Sequence, residues 1–337
     1  MSTEEAPESR TKARQVPVTE AGAGQRLDAW LQRQLRDIPR SRVYRLIRRG
    51  EVRVNSKRAQ PEQRLDAADV VRIPPVRLEV VPAPRHVPAS LVTTLGAHII
   101  HEDDALIVID KPAGVAVHGG SGVSFGVIEA LRAARPGETL ELVHRLDRDT
   151  SGCLLVARKA SALRALHALL RGEGAAAFEK RYLALVRGKW DLGKTRVDVP
   201  LRTDLRVSGE RTVRAHASGK TAVSEFRPVQ FFGKLASLVE VTIFTGRTHQ
   251  IRVHAAYASH PVAGDEKYGD EAFNASLREL GLRRMFLHAH SVSFTWPDSG
   301  RTQSFNAPLP PDLAAILERL EPQSKRPRVG GRGQGRR

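Results

Sequence analysis

The chain predicts an α+β protein: a large body on a mixed or antiparallel sheet, preceded by a small, strongly basic unit of two helices and two strands. Three observations carry this. In the body, strand-like runs outnumber helical ones and do not alternate with them regularly, which argues against a doubly wound parallel sheet. A proline-rich stretch from Pro74 to Pro88 separates two regions of different character. Charge is also divided unevenly. Of the net +17, residues 24–77 hold 14 Lys/Arg against six Asp/Glu, and residues 322–337 hold six basic residues and no acid. The body between is nearly balanced.

Taken in order, residues 1–23 are polar and aperiodic and read as a disordered lead-in. From Gly24, Leu27, Trp30, Leu31 and Leu35 recur at helical spacing. IPRSRVYRLIRRG (38–50) follows, with Ser41 as candidate N-cap and Gly50 as the stop. On this second helix Val43, Leu46 and Ile47 form an apolar stripe, and Arg42, Arg45 and Arg49 lie together beside it. EVRVN (51–55) alternates as a strand, and RLDAADVVRI (64–73) reads as a turn and a second strand, closing a domain over 24–77. Residues 78–90 read as a linker and 91–321 as the body. Its clearest strands are LIVID (106–110), CLLVA (153–157), YLALV (182–186), LVEVTIF (238–244) and VSFTW (292–296). Two or three helices are expected, among them SALRALHALLRG capped by Ser161 and THQIRVHAAYASH capped by Thr248. The tail, 322–337, is low-complexity Arg/Gly sequence that cannot form a core, and is expected to be disordered.

Composition excludes several classes. With 41% apolar and 27% charged residues the chain reads as a soluble globular protein, and no apolar run approaches the ~18 residues that span a bilayer. MSTEEAPESRTKARQ lacks the apolar core of a secretory signal. Cys153, the only cysteine, permits neither a disulfide framework nor a cysteine-based zinc site. The expectation is a cytoplasmic protein without membrane association. The clustered basic charge at both ends is the footprint of a polyphosphate partner, with nucleic acid the natural candidate.

HRLDRDTSG (144–152) concentrates titratable chemistry. A carboxylate flanked by guanidinium groups is held ionised, so it can serve as nucleophile or base but not as general acid. DTSG reads as a turn into CLLVA, with Asp149, Thr150 and Ser151 able to bond local backbone and Gly152 allowing a tight bend. That leaves Asp147 as the better reagent. Surface ion pairing is the bland reading of both acids.

TGRTHQIRVH (245–254) runs from a strand through Gly246 into a helix start. Backbone N–H groups there, with Arg247 and Arg252, form an anion-facing surface for either a substrate phosphate or a protein carboxylate. DKPAGVAVHGGSG (110–122) has the glycine density of a phosphate loop without GKS, GKT or GxGxxG, so a nucleotide cofactor is poorly supported. His249 and His254 are five apart and His288 and His290 two apart, with no HExxH or cysteine partner, so a metal is not expected. Tyr182 stands on a strand among apolar neighbours, where it either packs or offers a flat ring for a base.

DKPAGVAVHGG, HRLDRDTSG, KRYLALVRG (180–188) and TGRTHQIRVH with HPVAGDEKYGD (260–270) resemble, in this order, the RluA-type family of RNA pseudouridine synthases. Residues 24–77 resemble the S4 RNA-binding domain, and the likeness covers about residues 24–320. It implies a pseudouridine synthase catalytic domain behind an S4 domain, isomerising uridines of 23S ribosomal RNA without cofactor or metal, as a monomer. Asp147 would be the catalytic aspartate, Arg247 would pair with it, and Tyr182 would stack on the flipped base. Arg145 would insert into the RNA as the target flips out, and the S4 arginines Arg42, Arg45 and Arg49, with His249 and Arg252, would contact RNA. The same chemistry on another rRNA or a tRNA site, or a non-catalytic RNA-binding assembly factor, are the alternatives.

Overall fold

The computed structural model describes residues 13–35, 38, 40–76, 87–119, 124–172, 178–205 and 211–324. Most of the expected linker (78–86) and the Arg/Gly tail beyond Ser324 lie outside the described residues. The chain divides into two compact units, residues 1–86 and 87–337.

In the first unit, α1 (Leu27–Gln34) and α2 (Arg40–Arg48) accompany a sheet of β1 (Arg14–Pro17), β2 (Arg53–Val54), β3 (Lys57–Arg58) and β4 (Val70–Ile73), in the order β1-β4-β2-β3. Leu27, Leu31, Val43, Ile47 and Val71 are fully buried between them. Arg45 and Arg49 are exposed and Arg42 partly so, as the helical spacing predicts. Residues 14–17 correct the expected disordered lead-in: they pair antiparallel with β4, Val16 opposite Val71, and Val18 beyond them is buried. A four-residue edge strand is too short to announce itself by periodicity. Ser41 lies inside α2, so it is not that helix's cap.

The second unit runs α3 (Ala89–Ala97), β5 (Ile99–Glu102), β6 (Leu106–Lys111), α4 (Val127–Ala134), β7 (Glu141–Leu142), β8 (Ser151–Ala157), α5 (Ala160–Leu170) and β9 (Phe178–Arg187). It continues β10 (Thr195–Asp198), β11 (Leu201–Leu205), β12 (Arg211–Ala215), β13 (Val223–Phe232), β14 (Ala236–Ile243), α6 (Gln250–Tyr257), α7 (Glu271–Glu279), β15 (Leu287–Thr295), β16 (Thr302–Asn306) and α8 (Pro311–Ser324). A ten-stranded sheet takes the order β10-β13-β14-β9-β15-β8-β6-β5, with β16 on β15 and β7 on β8; β11 and β12 form a separate hairpin. The sheet is mixed, as expected, and parallel at one joint, where His288 and Ala289 of β15 face Ser151 and Gly152 of β8. Alternation along β9 sets the two faces: Tyr182, Ala184 and Val186 pack with α3, α4 and α6, while Leu183 and Leu185 pack with α7 and α8.

Six body helices are described where two or three were expected. Among those missed, α3, at Ala89, claims the last two residues of the expected linker. α5 starts at Ala160 after Lys159, so Ser161 lies within it and caps nothing.

Candidate active site

A cavity of about 580 Å3 opens on one face of this sheet, lined by the segments singled out in the sequence: His144, Arg145 and Asp147; Lys180 and Tyr182 of β9; and Gly246, Arg247, Thr248, His249 and Arg252. The loop bearing Asp147 is held from below. Lys111, fully buried, donates to the carbonyls of Pro112 (2.8 Å), Val115 (2.8 Å) and Arg148 (3.0 Å), tying the DKPAG turn to the Asp147 loop. Thr150 N–H closes the turn on the Asp147 carbonyl at 3.2 Å. Gly152 enters β8 at φ +110°, and a Cβ there would strike the Ala289 carbonyl at the parallel joint, so only glycine serves. Ser151 does not bond local backbone as expected: its hydroxyl reaches across the joint to His288 Nδ1 (2.9 Å) and accepts from Arg284 (3.2 Å).

Asp147 Oδ2 lies 3.4 Å from Arg252 Nη1 and 3.9 Å from His249 Nε2. This corrects the expected pairing with Arg247. Arg247 is exposed on the cavity rim and spends its Nε on the Thr221 carbonyl at 2.9 Å. α6 begins at Gln250, so Arg247 precedes the helix, while Arg252 sits on its first turn, facing inward with a side chain only 12% exposed. Arg252 is equally committed on its other side. Its Nε and Nη2 grip Asp265, whose side chain is fully buried, at 2.7 Å each. Of the two anions the sequence left open for this arginine, the structure provides protein carboxylates, and Arg252 also lines the cavity. Asp265 also accepts the N–H groups of Lys267 (2.9 Å) and Tyr268 (3.0 Å). Burial works to raise the Asp265 pKa, but Arg252 and these donors hold it below the usual carboxylate value.

Thr248 does not cap α6. His249 occupies the N-cap in the left-handed region, φ +54°, and Gln250 closes the turn instead. Its Oε1 accepts from Thr245 Oγ1 (2.7 Å) and Arg247 N–H (3.1 Å), and its Nε2 donates to Val223 O and Ser224 Oγ, both at 2.9 Å. His249 Nδ1 lies 2.9 Å from Tyr268 Oη, which already accepts Val213 N–H at 3.0 Å. With the Tyr268 hydroxyl free to donate to Nδ1, the tautomer that suits this pair carries the proton of the neutral ring on Nε2, toward Asp147. Burial lowers the His249 pKa, against the pull of Asp147. The Tyr268 ring also lies 5.0 Å under the Arg252 guanidinium.

Tyr182 is 6% exposed on the cavity wall, and burial with the nearby Asp147 charge raises its pKa, so it stays a neutral phenol. Arg145 is exposed at the rim. Of the two histidine pairs weighed and set aside as metal ligands, His254 bonds Ser224 Oγ and Val199 O, and His288 bonds Ser151 and Ala307. The residues missed as individuals, Lys111, Lys180, Gln250, Asp265 and Tyr268, all fall within or beside the quoted motifs. The signal for Asp265 and Tyr268 was the stretch GDEKYGD (264–270), with acids and a tyrosine between two glycines following α6.

The family model described as RNA pseudouridylate synthase matches residues 105–257, and the S4 domain model matches residues 25–71. Ribosomal large subunit pseudouridine synthase C of Pasteurella multocida (strain Pm70) is 50% identical over 310 residues, covering 91% of this chain and 94% of the relative. The protein of the same name from Escherichia coli (strain K12) is 50% identical over 312 residues, covering 90% and 96%. Among solved structures, human RNA pseudouridylate synthase domain containing 4 superposes with a TM-score of 0.55 at 25% identity, covering 69% of this chain and 96% of that one. Fold, cavity and matches together define an RNA-modifying isomerase with an S4 domain. The chain belongs to the RluA-type family of RNA pseudouridine synthases. Among the described residues no helix is long and apolar enough to cross a membrane.

Proposed function

We propose that this enzyme isomerises specific uridines of 23S ribosomal RNA in the cytoplasm, as a monomer, with Asp147 as the catalytic carboxylate. One observation carries the assignment of the carboxylate: Asp147 is the acid that reaches the cavity, and Arg252, itself anchored on Asp265, holds it from behind. The choice of RNA is supported by the relatives that are half identical over nine-tenths of the chain and named for the large ribosomal subunit.

The flipped uridine enters with its base against Tyr182 and its sugar toward Asp147, which bonds to the sugar or takes a proton from it as the glycosidic bond breaks. The base then turns and rejoins through carbon. Substrate and product are isomers, so the scheme requires no electron carrier. Arg145, at the rim, fills the space the flipped nucleotide leaves in the RNA. His249 and Arg247 meet the RNA at the mouth. Arg42, Arg45 and Arg49 of the S4 domain add salt-dependent phosphate contacts.

The test is Asp147→Asn on a 23S rRNA transcript: RNA binding stays near wild type and pseudouridine formation disappears. Product from Asp147→Ala at the wild-type single-turnover rate refutes the assignment. Mapping pseudouridines in cells lacking the gene tests the choice of RNA, and loss confined to tRNA refutes it.

A further inference from the structure

Among the described residues two lysines of the catalytic unit are buried, Lys111 and Lys180, and they are satisfied oppositely. Lys111 gives its three N–H groups to three carbonyls. Lys180, on β9, is 9% exposed, yet among the described residues it has neither a hydrogen-bond acceptor nor a carboxylate partner. Its neighbours include the Phe178 ring, 5.8 Å from Nζ, Gly246, where a Cβ would come to 3.8 Å of Nζ, and buried His144, whose pKa falls through burial and the Lys180 charge. Lys180 also lines the cavity. Burial draws its pKa down to about 8, which leaves it mainly an ammonium at neutral pH. An unpaired buried ammonium is costly, and a protein retains one where a partner arrives from outside.

We infer that Lys180 is a further catalytic residue whose ammonium stabilises the negative charge on the uracil ring while the ring is detached from the sugar. The inference rests on the proposed function above. Lys180 and Tyr182 are two residues apart on one face of β9, about 6.6–6.8 Å along the strand, so a ring lying on Tyr182 has an edge within reach of the ammonium. Asp147, Lys180 and Tyr182 line one cavity, so carboxylate, ammonium and ring all face a nucleoside bound there.

The chemistry calls for such a division. When the C1′–N1 bond breaks, its electron pair leaves on uracil and is shared between N1 and the carbonyl oxygens. The sugar is balanced by Asp147, through a bond to C1′ or by taking the C2′ proton, whose C–H pair becomes the C1′=C2′ bond. Lys180 transfers no proton; it neutralises the departing base until C5 bonds to C1′, when Asp147 leaves C1′ or returns the C2′ proton, and the proton that C5 then loses to water is matched by the one N1 gains from it. The base enters neutral, so this contact strengthens only as the bond breaks, which is the condition for raising the rate rather than the affinity. A backbone phosphate is charged from the outset and would reveal itself in binding instead.

The test is Lys180→Met in the full-length enzyme, assayed on the same transcript by single turnover at saturating protein. The expected result is a rate lower by about 10²- to 10³-fold, an RNA Kd within about twofold of wild type, and a melting temperature equal to or above wild type, because an unpaired buried charge has been removed. Wild-type activity falls as pH rises through about 8, and the Lys180→Met rate lacks that step, keeping only what Lys111, drawn to about 7 by burial beneath the Asp147 loop, contributes to both proteins. The other cavity groups with displaced pKa lie outside that window: His144 is driven to about 3 by burial, His249 is lowered, and Tyr182 and Arg252 are raised. Asp147, Arg145, Arg247, His118 and His167 also face the cavity and are unchanged in the variant. An unchanged rate overturns the inference. So does a weakened Kd with an unchanged saturating rate, which marks a phosphate contact, and so does a lowered melting temperature, which marks an ammonium paired in the free protein. Wild type and Asp147→Asn run in parallel: an inactive wild type removes the underlying function, whereas active wild type with fully active Lys180→Met removes only the role of Lys180.

Discussion

Asp265 never touches the cavity, yet replacing it by Asn is expected to damage both stability and rate. The substitution is nearly isosteric. Asn retains Oδ1, which accepts from Lys267 N–H, Tyr268 N–H and Arg252 Nη2, but sets an NH2 group against Arg252 Nε where Oδ2 now accepts at 2.7 Å. The charge-assisted bonds to Arg252 are each worth about 1.5–3 kcal/mol, and breaking a buried ion pair leaves the remaining charge uncompensated at about 3–5 kcal/mol. Between the single bond forfeited and the full cost of a broken buried ion pair, the expected loss is about 2–5 kcal/mol, read by urea denaturation. Released on that side, Arg252 shifts from its 3.4 Å contact with Asp147, and a displacement of about 1 Å at a reacting group costs about 10²-fold in rate. Single-turnover assays below the unfolding transition read that separately. As the Asp265 pKa is lowered in the fold, its contribution is complete above the ordinary carboxylate value and disappears as pH falls through the folded value beneath it. A loss under about 1 kcal/mol together with an unchanged rate would refute the idea that Arg252 depends on this anchor.

Arg45→Ala with Arg49→Ala in the S4 domain should leave the saturating rate unchanged and reduce the slope of log affinity against log salt by about 1.4, taking about 0.7 per lost phosphate contact to single-stranded RNA; titrations at several salt concentrations measure it. Gly152→Ala combines φ +110° with a collision against the Ala289 carbonyl, so a loss of about 2–5 kcal/mol is expected by chemical denaturation. His288 is buried as a neutral ring with its pKa lowered to about 4 by burial. Between that value and about 6.5 the unfolded chain binds the proton and the folded one does not, so stability falls as pH drops through this window, by up to about 3 kcal/mol. Urea melts from pH 7 to 4 follow it, and His288→Gln removes that component.

The legible parts of this molecule were those governed by local rules. The five long strands and the α1 and α2 stripes were visible because burial of one face imposes a period of two or 3.6. α6 was visible, but its start was misplaced: Thr248 is a standard cap residue, and the left-handed turn at His249 is closed by Gln250, two of whose four side-chain hydrogen bonds reach β13, 26 and 27 residues away. The same limit explains Arg247. Both arginines of TGRTHQIR neighbour the helix start in sequence, and only the direction of α6 relative to the Asp147 loop decides that Arg252 faces inward. The anchor was further beyond reach, because Asp265 lies 118 positions from Asp147 and gains its role only through the intervening guanidinium. Lys180 was hidden for the opposite reason: a lysine in a β-strand reads as a solvent-facing residue, and nothing local shows that β14 and the 245–249 turn cover it.

The unequal grip of Arg252 has a chemical consequence. It holds Asp265 through two bonds at 2.7 Å and Asp147 through one at 3.4 Å. The close bidentate pair is charge-neutral as a unit and buried, so Asp147 meets a guanidinium whose charge is largely answered elsewhere. A one-to-one ion pair with Arg252 would orient Asp147 but also oppose the reaction proposed for it at the sugar, since the contact would have to be surrendered as the carboxylate bonds or is protonated. Shared between two carboxylates, the arginine fixes the direction of Asp147 while leaving its charge available. By this reasoning Arg252→Lys, which retains a positive charge but loses the fork, should fail mainly in rate: a point-like ammonium follows Asp265 and leaves Asp147 unsupported.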